Sequence, residues 1–305
     1  MTQFILHQYD LSPFCEKVRL AFGLKGLDWH AVEVPVWPPK PDLMPLTNGY
    51  RMAPVLQIGA DIYCDTMLIL RAIERRAPLP SLYPGGQRAL AEVLGWWWER
   101  ASFVPAASLA TCVIGDQLPP AFIEERKTFM AHDFSREASL QDRALNLQRM
   151  HAHLAWLAGM LGDGRAFLLG DAPSAADLAA YHTLWFARQH GGAEVEAALP
   201  LAPLDGWMAR VAALGHGRRR DMPAAEALDI ARAAEPEPPA SPDGDPSGLR
   251  AGQAVVVRAE ERGRDPIHGT LVGADAEEAV IRHENARVGA VHIHVPRAGF
   301  AVQAA

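Results

Sequence analysis

Cysteine is scarce, with Cys15, Cys64 and Cys112 the only three in 305 residues. An odd, sparse set of this kind does not build a secreted disulfide framework and fits thiols kept reduced in a cytosol. Positive charge is in deficit, 29 Lys and Arg against 36 Asp and Glu, for a net charge of −7. General phosphate binding needs clustered cations, so nucleic acid is not an expected partner. No apolar run reaches the roughly 18 residues a membrane span wants. The start Met1-Thr2-Gln3-Phe4 has neither the basic nor the long apolar region of a signal peptide. The expectation is a soluble, cytoplasmic protein with no membrane partner. What the chain does contain is ordinary for a globular protein, 49% hydrophobic and 21% charged residues, and its length suits two or three domains.

Residues 4–8 read as a strand, 13–24 as a helix and 29–34 as a second strand with alternating apolar and polar positions, a βαβ start. Four prolines in residues 35–41 force a loop. Val55-Leu56-Gln57-Ile58 and Asp61-Ile62-Tyr63 flank Gly59-Ala60, a hairpin signal, and Asp65-Thr66 then open a helix to about residue 76. These elements predict an α/β thioredoxin-like domain over residues 1–84. After Pro78, Pro80 and Pro84 the pattern turns helical, over about 86–110, 120–134, 138–161, 174–190, 204–214 and 223–234. That is an all-α helical domain, residues 85–234. Ser174 and Asp177 read as a capping box at the head of one of its helices, and Asp177 is given a structural role only.

Residues 235–248 carry five prolines and no large apolar residue, the composition of a linker. Five short alternating runs follow, at 254–257, 267–272, 279–283, 290–295 and 300–302. They predict a small SH3-like β-barrel over residues 249–305, marginal alone and expected to dock on the helical domain.

The functional reading rests on Ser12-Pro13-Phe14-Cys15-Glu16-Lys17-Val18-Arg19. Ser12 suits a helix N-cap and Pro13 the first helical position, and on spacing alone a capping serine is the commoner explanation. A hydroxyl there, beside unpaired amides and the positive end of the helix dipole, is also placed to stabilise an anion. The run S-P-F-C-x-K-V-R after an N-terminal strand resembles the active-site turn of the glutathione S-transferase superfamily. Ala53-Pro54-Val55 resembles that family's x-Pro-Val step, in which a cis-proline presents the preceding backbone to the cysteinyl part of glutathione. Asp65-Thr66 resembles its acid-hydroxyl pair, which holds the γ-glutamyl end, and residues 170–177 resemble its folding motif. The resemblance is close over residues 1–84 and continues to about 234. The C-terminal β-domain is no part of the usual transferase architecture.

The resemblance implies an enzyme that conjugates glutathione, as co-substrate, to a hydrophobic electrophile. A thiol ionises near pKa ~8.5 in water. Ser12, the implied catalytic residue, would donate a hydrogen bond to the sulfur and favour its thiolate. Phe14, Arg51, Ala53, Pro54, Asp65 and Thr66 are the implied glutathione contacts, with Arg51 and Lys40 as candidates for the glycyl carboxylate. A homodimer is implied as well. Two alternatives stand beside this reading. One is a non-catalytic binding module whose protein partner docks on the β-domain. The other is a glutathione-dependent thiol reductase using Cys15, although Ser12 stands where a C-x-x-C pair has its first thiol.

Other features have plainer readings. Trp96-Trp97-Trp98 cannot share one helical face, because successive residues turn by ~100°. Arg218-Arg219-Arg220 reads as a solvated helix end or loop. His292 and His294, with His283, lack a cysteine or carboxylate at ligand spacing, so no metal is expected.

Overall fold

The computed structural model describes residues 3–239, 245–260 and 265–305. In chain order the elements are β1 (Ile5–Gln8), α1 (Pro13–Leu24), β2 (Asp28–Glu33), α2 (Met44–Thr47), β3 (Val55–Ile58), β4 (Asp61–Cys64) and α3 (Thr66–Arg76). Then come α4 (Arg88–Ile114), α5 (Pro120–Met130), α6 (Arg136–Leu161), α7 (Ala175–Ala198) and α8 (Asp205–Ala212). The chain ends with β5 (Arg218–Asp221), α9 (Ala224–Ala233), β6 (Ala254–Ala259), β7 (Ile267–Ala274), β8 (Glu278–Asn285), β9 (Gly289–Pro296) and β10 (Phe300–Ala304). Two compact units result. The first holds all ten strands with α2, α3 and α9, and the second holds α1 and α4–α8. Among the described residues no helix is long and apolar enough to cross a membrane.

The first unit is thioredoxin-like at its centre. β1 pairs in parallel with β2, while β3 runs antiparallel to β1 and β4 antiparallel to β3. Every residue of β1 and β4 is buried, as strands covered on both faces must be. A polar network crosses this core. His7 Nε2 and Gln57 Oε1 meet at 2.9 Å, and Gln57 Nε2 donates to the carbonyls of Gly59 and Ala227. Burial pushes the His7 imidazole down to about 4, against the pull of Gln57, so it is neutral at physiological pH. The Ala227 bond ties α9 to the sheet, and Ala227 and Met222 share a small core with Ile5 and Val32. The helix expected at 223–234 is present, but it belongs to the sheet unit.

The sheet does not end at β4. Its order is β10-β6-β7-β8-β9-β4-β3-β1-β2-β5. All five strands expected at the C-terminus are there, β6 to β9 as an antiparallel meander with β10 returning beside β6. Among the described residues they do not close on themselves as the expected barrel would. β9 takes β4 as its second neighbour, in parallel, with Asp61↔His292, Ile62↔Ile293 and Tyr63↔His294 in register. Their buried side chains are continuous with the older core, Val255, Ile281, Val291 and Phe300 in one cluster with Leu46, Val55 and Ile62. A segment this short buries too little to stand alone and gains a core by sharing one. In the expected linker, the Glu237 N–H donates to Asp61 and its carboxylate pairs with Arg76, so this part is bound to the sheet. Residues 240–244 of that linker lie outside the described residues.

Arg218-Arg219-Arg220 is neither loop nor helix end. It forms β5, an exposed edge strand parallel to β2, with Arg218 on Asp28 at 2.8 Å and Arg219 on Asp10 at 2.7 Å and Asp221 at 2.8 Å. Charge on an outermost strand discourages pairing with a foreign chain.

The second unit is helical throughout, with one isolated bridge between Phe167 and Gly170. α4 and α7 pack with their residue numbers rising together. A Cβ on Gly95 would sit 3.1 Å from that of Ala179, Glu99 meets His182, and Phe103 meets Phe186. The tryptophan triplet divides as rotation requires. Trp98 is buried, Trp97 lies against His153 and Trp156, and Trp96 is exposed beneath the Arg100 guanidinium, 4.0 Å from its ring centroid. At the head of α7 the Asp177 carboxylate accepts from the Ser174 N–H and hydroxyl, the Leu168 N–H and the Trp207 indole. The capping box therefore also ties down the loop before it and α8 beyond it.

Candidate functional site

In the first unit the candidate residues lie where residues 48–54 meet the head of α3. The Ala53–Pro54 bond is cis, with Pro54 buried and Ala53 half-buried. Asp65 has a left-handed backbone, φ 72°, a conformation most residues avoid but short polar ones tolerate. Two bonds secure it there: its N–H donates to the Tyr50 hydroxyl at 3.1 Å, and its Oδ1 accepts the Met67 N–H at 2.9 Å. The second of these is a helix cap, and it sets a carboxylate over the first turn of α3 beside Thr66. Tyr50 thereby joins the proline loop to the helix head, bringing Arg51, Ala53 and Pro54 into one neighbourhood with Asp65 and Thr66. Arg51 pairs with Asp265 at 2.9 Å, and Lys40 is buried with its ammonium 5.8 Å from the Tyr9 ring centroid. Cys64 is fully buried, and burial, reinforced by the charge of Asp65, pushes its thiol well up.

Ser12 and Phe14 fall in the second unit. Ser12 is 1% exposed, and its hydroxyl accepts the Cys15 N–H at 3.2 Å as the N-cap of α1. That bond uses an oxygen lone pair and leaves the hydroxyl proton available. Phe14 stacks obliquely on His182 and on Phe103, each with ring centroids 4.9 Å apart. Beneath it, Glu99 Oε1 takes the Lys17 ammonium at 2.7 Å and the His182 Nε2–H at 2.9 Å. Burial alone would raise the Glu99 carboxyl, but Lys17 and His182 outweigh it and hold it at about 2. Burial lowers His182 despite Glu99, which makes it a neutral donor to a carboxylate. Further along α1, Glu16 pairs with Arg19 at 2.9 Å and His216 at 3.0 Å. These ion pairs fix the helix that carries Ser12.

No cluster of three or more His, Cys, Asp or Glu suited to a metal occurs among the described residues. His292 meets the Glu237 carbonyl at 3.0 Å, His294 meets Asp61 at 2.9 Å and His283 meets Asn285 at 2.9 Å. Sequence reasoning missed Tyr50, Glu99, His182 and Asp265. Each acts across a long stretch of chain, 15 residues for Tyr50 and Asp65 and 83 for Glu99 and His182, where no periodic pattern reports a contact.

Residues 6–81 match the family model described as glutathione S-transferase, N-terminal domain, and residues 135–210 match the C-terminal domain. A GST-like protein from Pseudomonas syringae, of known crystal structure, is 38% identical, with 100% of each chain covered and a TM-score of 0.79. The chain belongs to the glutathione S-transferase family. A curated relative, FtsZ-localized protein A of Caulobacter vibrioides, is 28% identical over 188 residues, 57% of this chain and 73% of that one. A glutathione S-transferase of Ceriporiopsis subvermispora, solved in complex with glutathione, shares the fold at 20% identity and a TM-score of 0.53. That match spans 95% of the fungal protein but only 70% of this chain, whereas the P. syringae protein matches from end to end. The P. syringae match therefore includes the C-terminal strands.

Proposed function

We propose that this family member binds glutathione through its first unit and uses it as a nucleophile toward a hydrophobic electrophile. The observation that carries the reading is the head of α3. There Tyr50 and Met67 hold Asp65 in a left-handed turn, so that a carboxylate, the Thr66 hydroxyl and the first amides of a helix stand together. A γ-glutamyl group carries an ammonium and a carboxylate on one carbon. The ammonium suits Asp65, and the carboxylate suits Thr66 and the helix amides. In the second unit, taken by itself, the Ser12 hydroxyl accepts the Cys15 N–H at the start of α1 and keeps its proton, the chemistry that a donor to a thiolate needs. Reduced cysteines, cytoplasmic localisation and a homodimer belong to the same reading. Cys15 is fully buried, which gives the reductase alternative no support.

Isothermal titration of the full chain with glutathione tests this. Asp65→Asn and Thr66→Val should each weaken binding by about tenfold, the worth of one charge-assisted contact. Ser12→Ala should leave affinity nearly unchanged and raise the pKa of the bound thiol. Absence of binding at millimolar glutathione would refute the proposal.

A second reading, a non-catalytic binding module, is favoured by exposed apolar side chains in the second unit. Leu90, Val93 and Trp96 line α4, and Trp156 stands 58% exposed on α6. The name of the Caulobacter relative, FtsZ-localized protein A, states a localisation and no reaction. A chain that binds no glutathione, and loses a protein partner on Val93→Glu or Trp156→Glu, would decide for it. Deleting residues 249–305 is no clean test, because those strands share the core of the sheet.

A further inference from the structure

The segment that leads into Ala53–Pro54 is built from local turns. α2 is a single turn of four residues with no side-chain cap at its head, and the amides of Leu43, Met44, Leu46, Asn48 and Tyr50 bond to carbonyls three or four residues back. A helix this short does not persist in water by itself. Its order comes from the C-terminal strands. Leu43 and Leu46 are buried in one cluster with Val288, Val291 and Phe300. At the turn between β8 and β9, Arg287 donates to the Pro41 carbonyl at 3.0 Å and pairs with Asp42 at 2.8 Å. Beside it, Asn285 Nδ2 donates to the Pro45 carbonyl at 2.8 Å. At the start of β7, the His268 carbonyl accepts from Asn48 Nδ2 at 2.7 Å. A Cβ on Gly49 would lie 2.3 Å from the Pro266 carbonyl oxygen, so the two backbones touch.

Tyr50 passes this grip on to the candidate site. Its ring lies against Phe300, centroids 6.3 Å apart, and its hydroxyl accepts the Asp65 N–H at 3.1 Å, one of the two bonds that secure the left-handed turn there. The same strands therefore set residues 41–50 and, through Tyr50, the head of α3. A loop left unheld would be open for part of the time, and a ligand's affinity would fall with the fraction of molecules closed. A loop already closed avoids that loss.

We infer that the C-terminal strands clamp residues 41–50 in the ligand-binding conformation before any ligand arrives, with Asn48, Asn285 and Arg287 as positioning residues. The inference rests on the γ-glutamyl reading of Asp65 and Thr66 and goes past it by naming what keeps that site formed. Amide hydrogen exchange of the full chain, read at Leu43, Met44, Leu46, Asn48 and Tyr50, tests it. In ligand-free wild type these amides should exchange at least about a hundredfold more slowly than those of an unstructured chain. Asn48→Gly keeps the left-handed backbone, φ 43°, and removes the bond to His268. Arg287→Met loosens the clamp from its far side and leaves the sequence of the segment unchanged. Together they should speed the five amides by about tenfold and leave those of β1 unmoved. Saturating glutathione should slow the five again, because it binds the closed form. Unprotected amides in the free wild type overturn the inference. So does a double variant that matches wild type at the five or quickens β1 as much, and so does bound glutathione that leaves the five unchanged. If titration shows no glutathione bound, the γ-glutamyl reading falls and the positioning role with it, whereas the ligand-free measurements still decide the clamp.

Discussion

Asp177→Ala removes an acceptor on which four hydrogen bonds converge in a fully buried site. Hydrogen bonds to a charged group are worth about 1.5–3 kcal/mol each. Adding four of them overshoots, because contacts sharing one group are not additive and the Ser174 hydroxyl can turn to another acceptor. Three donors lack that freedom, the Ser174 N–H at 2.9 Å, the Leu168 N–H at 2.8 Å and the Trp207 indole N–H at 2.8 Å. Leaving these buried and unmet, the helix cap among them, costs about 3–5 kcal/mol. For a unit of this size that corresponds to a fall in Tm of about 10–15 °C. Asp177→Asn keeps the shape and one acceptor oxygen, so its cost should be about half. Urea unfolding followed by circular dichroism of the helices gives the numbers. Trp207→Phe supplies the control: in that background Asp177→Ala should cost about 1 kcal/mol less, since one stranded donor is absent. A loss below about 1 kcal/mol in the single variant would refute the assignment of Asp177 as the hub of this unit.

Gly49→Ala is expected to destabilise the first unit by about 2–4 kcal/mol, because φ is 126° and the added methyl would meet the Pro266 carbonyl at 2.3 Å. Proteolysis should then open the C-terminal strands first, and a variant as resistant as wild type would show that the contact does not hold them. The His294 imidazole makes stability depend on pH where β9 joins β4. Burial would lower it, but Asp61 at 2.9 Å and Glu278 at 3.7 Å outweigh burial and raise it above its ordinary 6.5. Its stabilisation is therefore complete below pH 6.5 and is lost as pH rises through the raised value. Glu278, lowered from 4.5 against its own burial chiefly by His294, contributes above that value and fails as acid protonates it. Urea midpoints of wild type should fall on the alkaline side while those of His294→Asn stay level, and parallel profiles would refute the linkage.

Local pattern determined a great deal here. The alternation of apolar residues marks all five C-terminal strands, and Pro13, Ser174 and the Gly59-Ala60 turn announce their elements, because caps and turns are decided by neighbours in the chain. The residues at the head of α3 were legible for the same reason. What lay beyond reach was partnership between distant segments. Nothing in Arg218-Arg219-Arg220 says that it pairs with β2, nor in residues 224–233 that they lie on the sheet. Nothing near Arg51 foretells Asp265, more than two hundred residues away. The open edge of β4 invites a strand, and only the folded chain shows that β9 takes the place. Hydrogen-bonding capacity at an edge is generic, while the choice of occupant depends on which buried surfaces fit together in three dimensions.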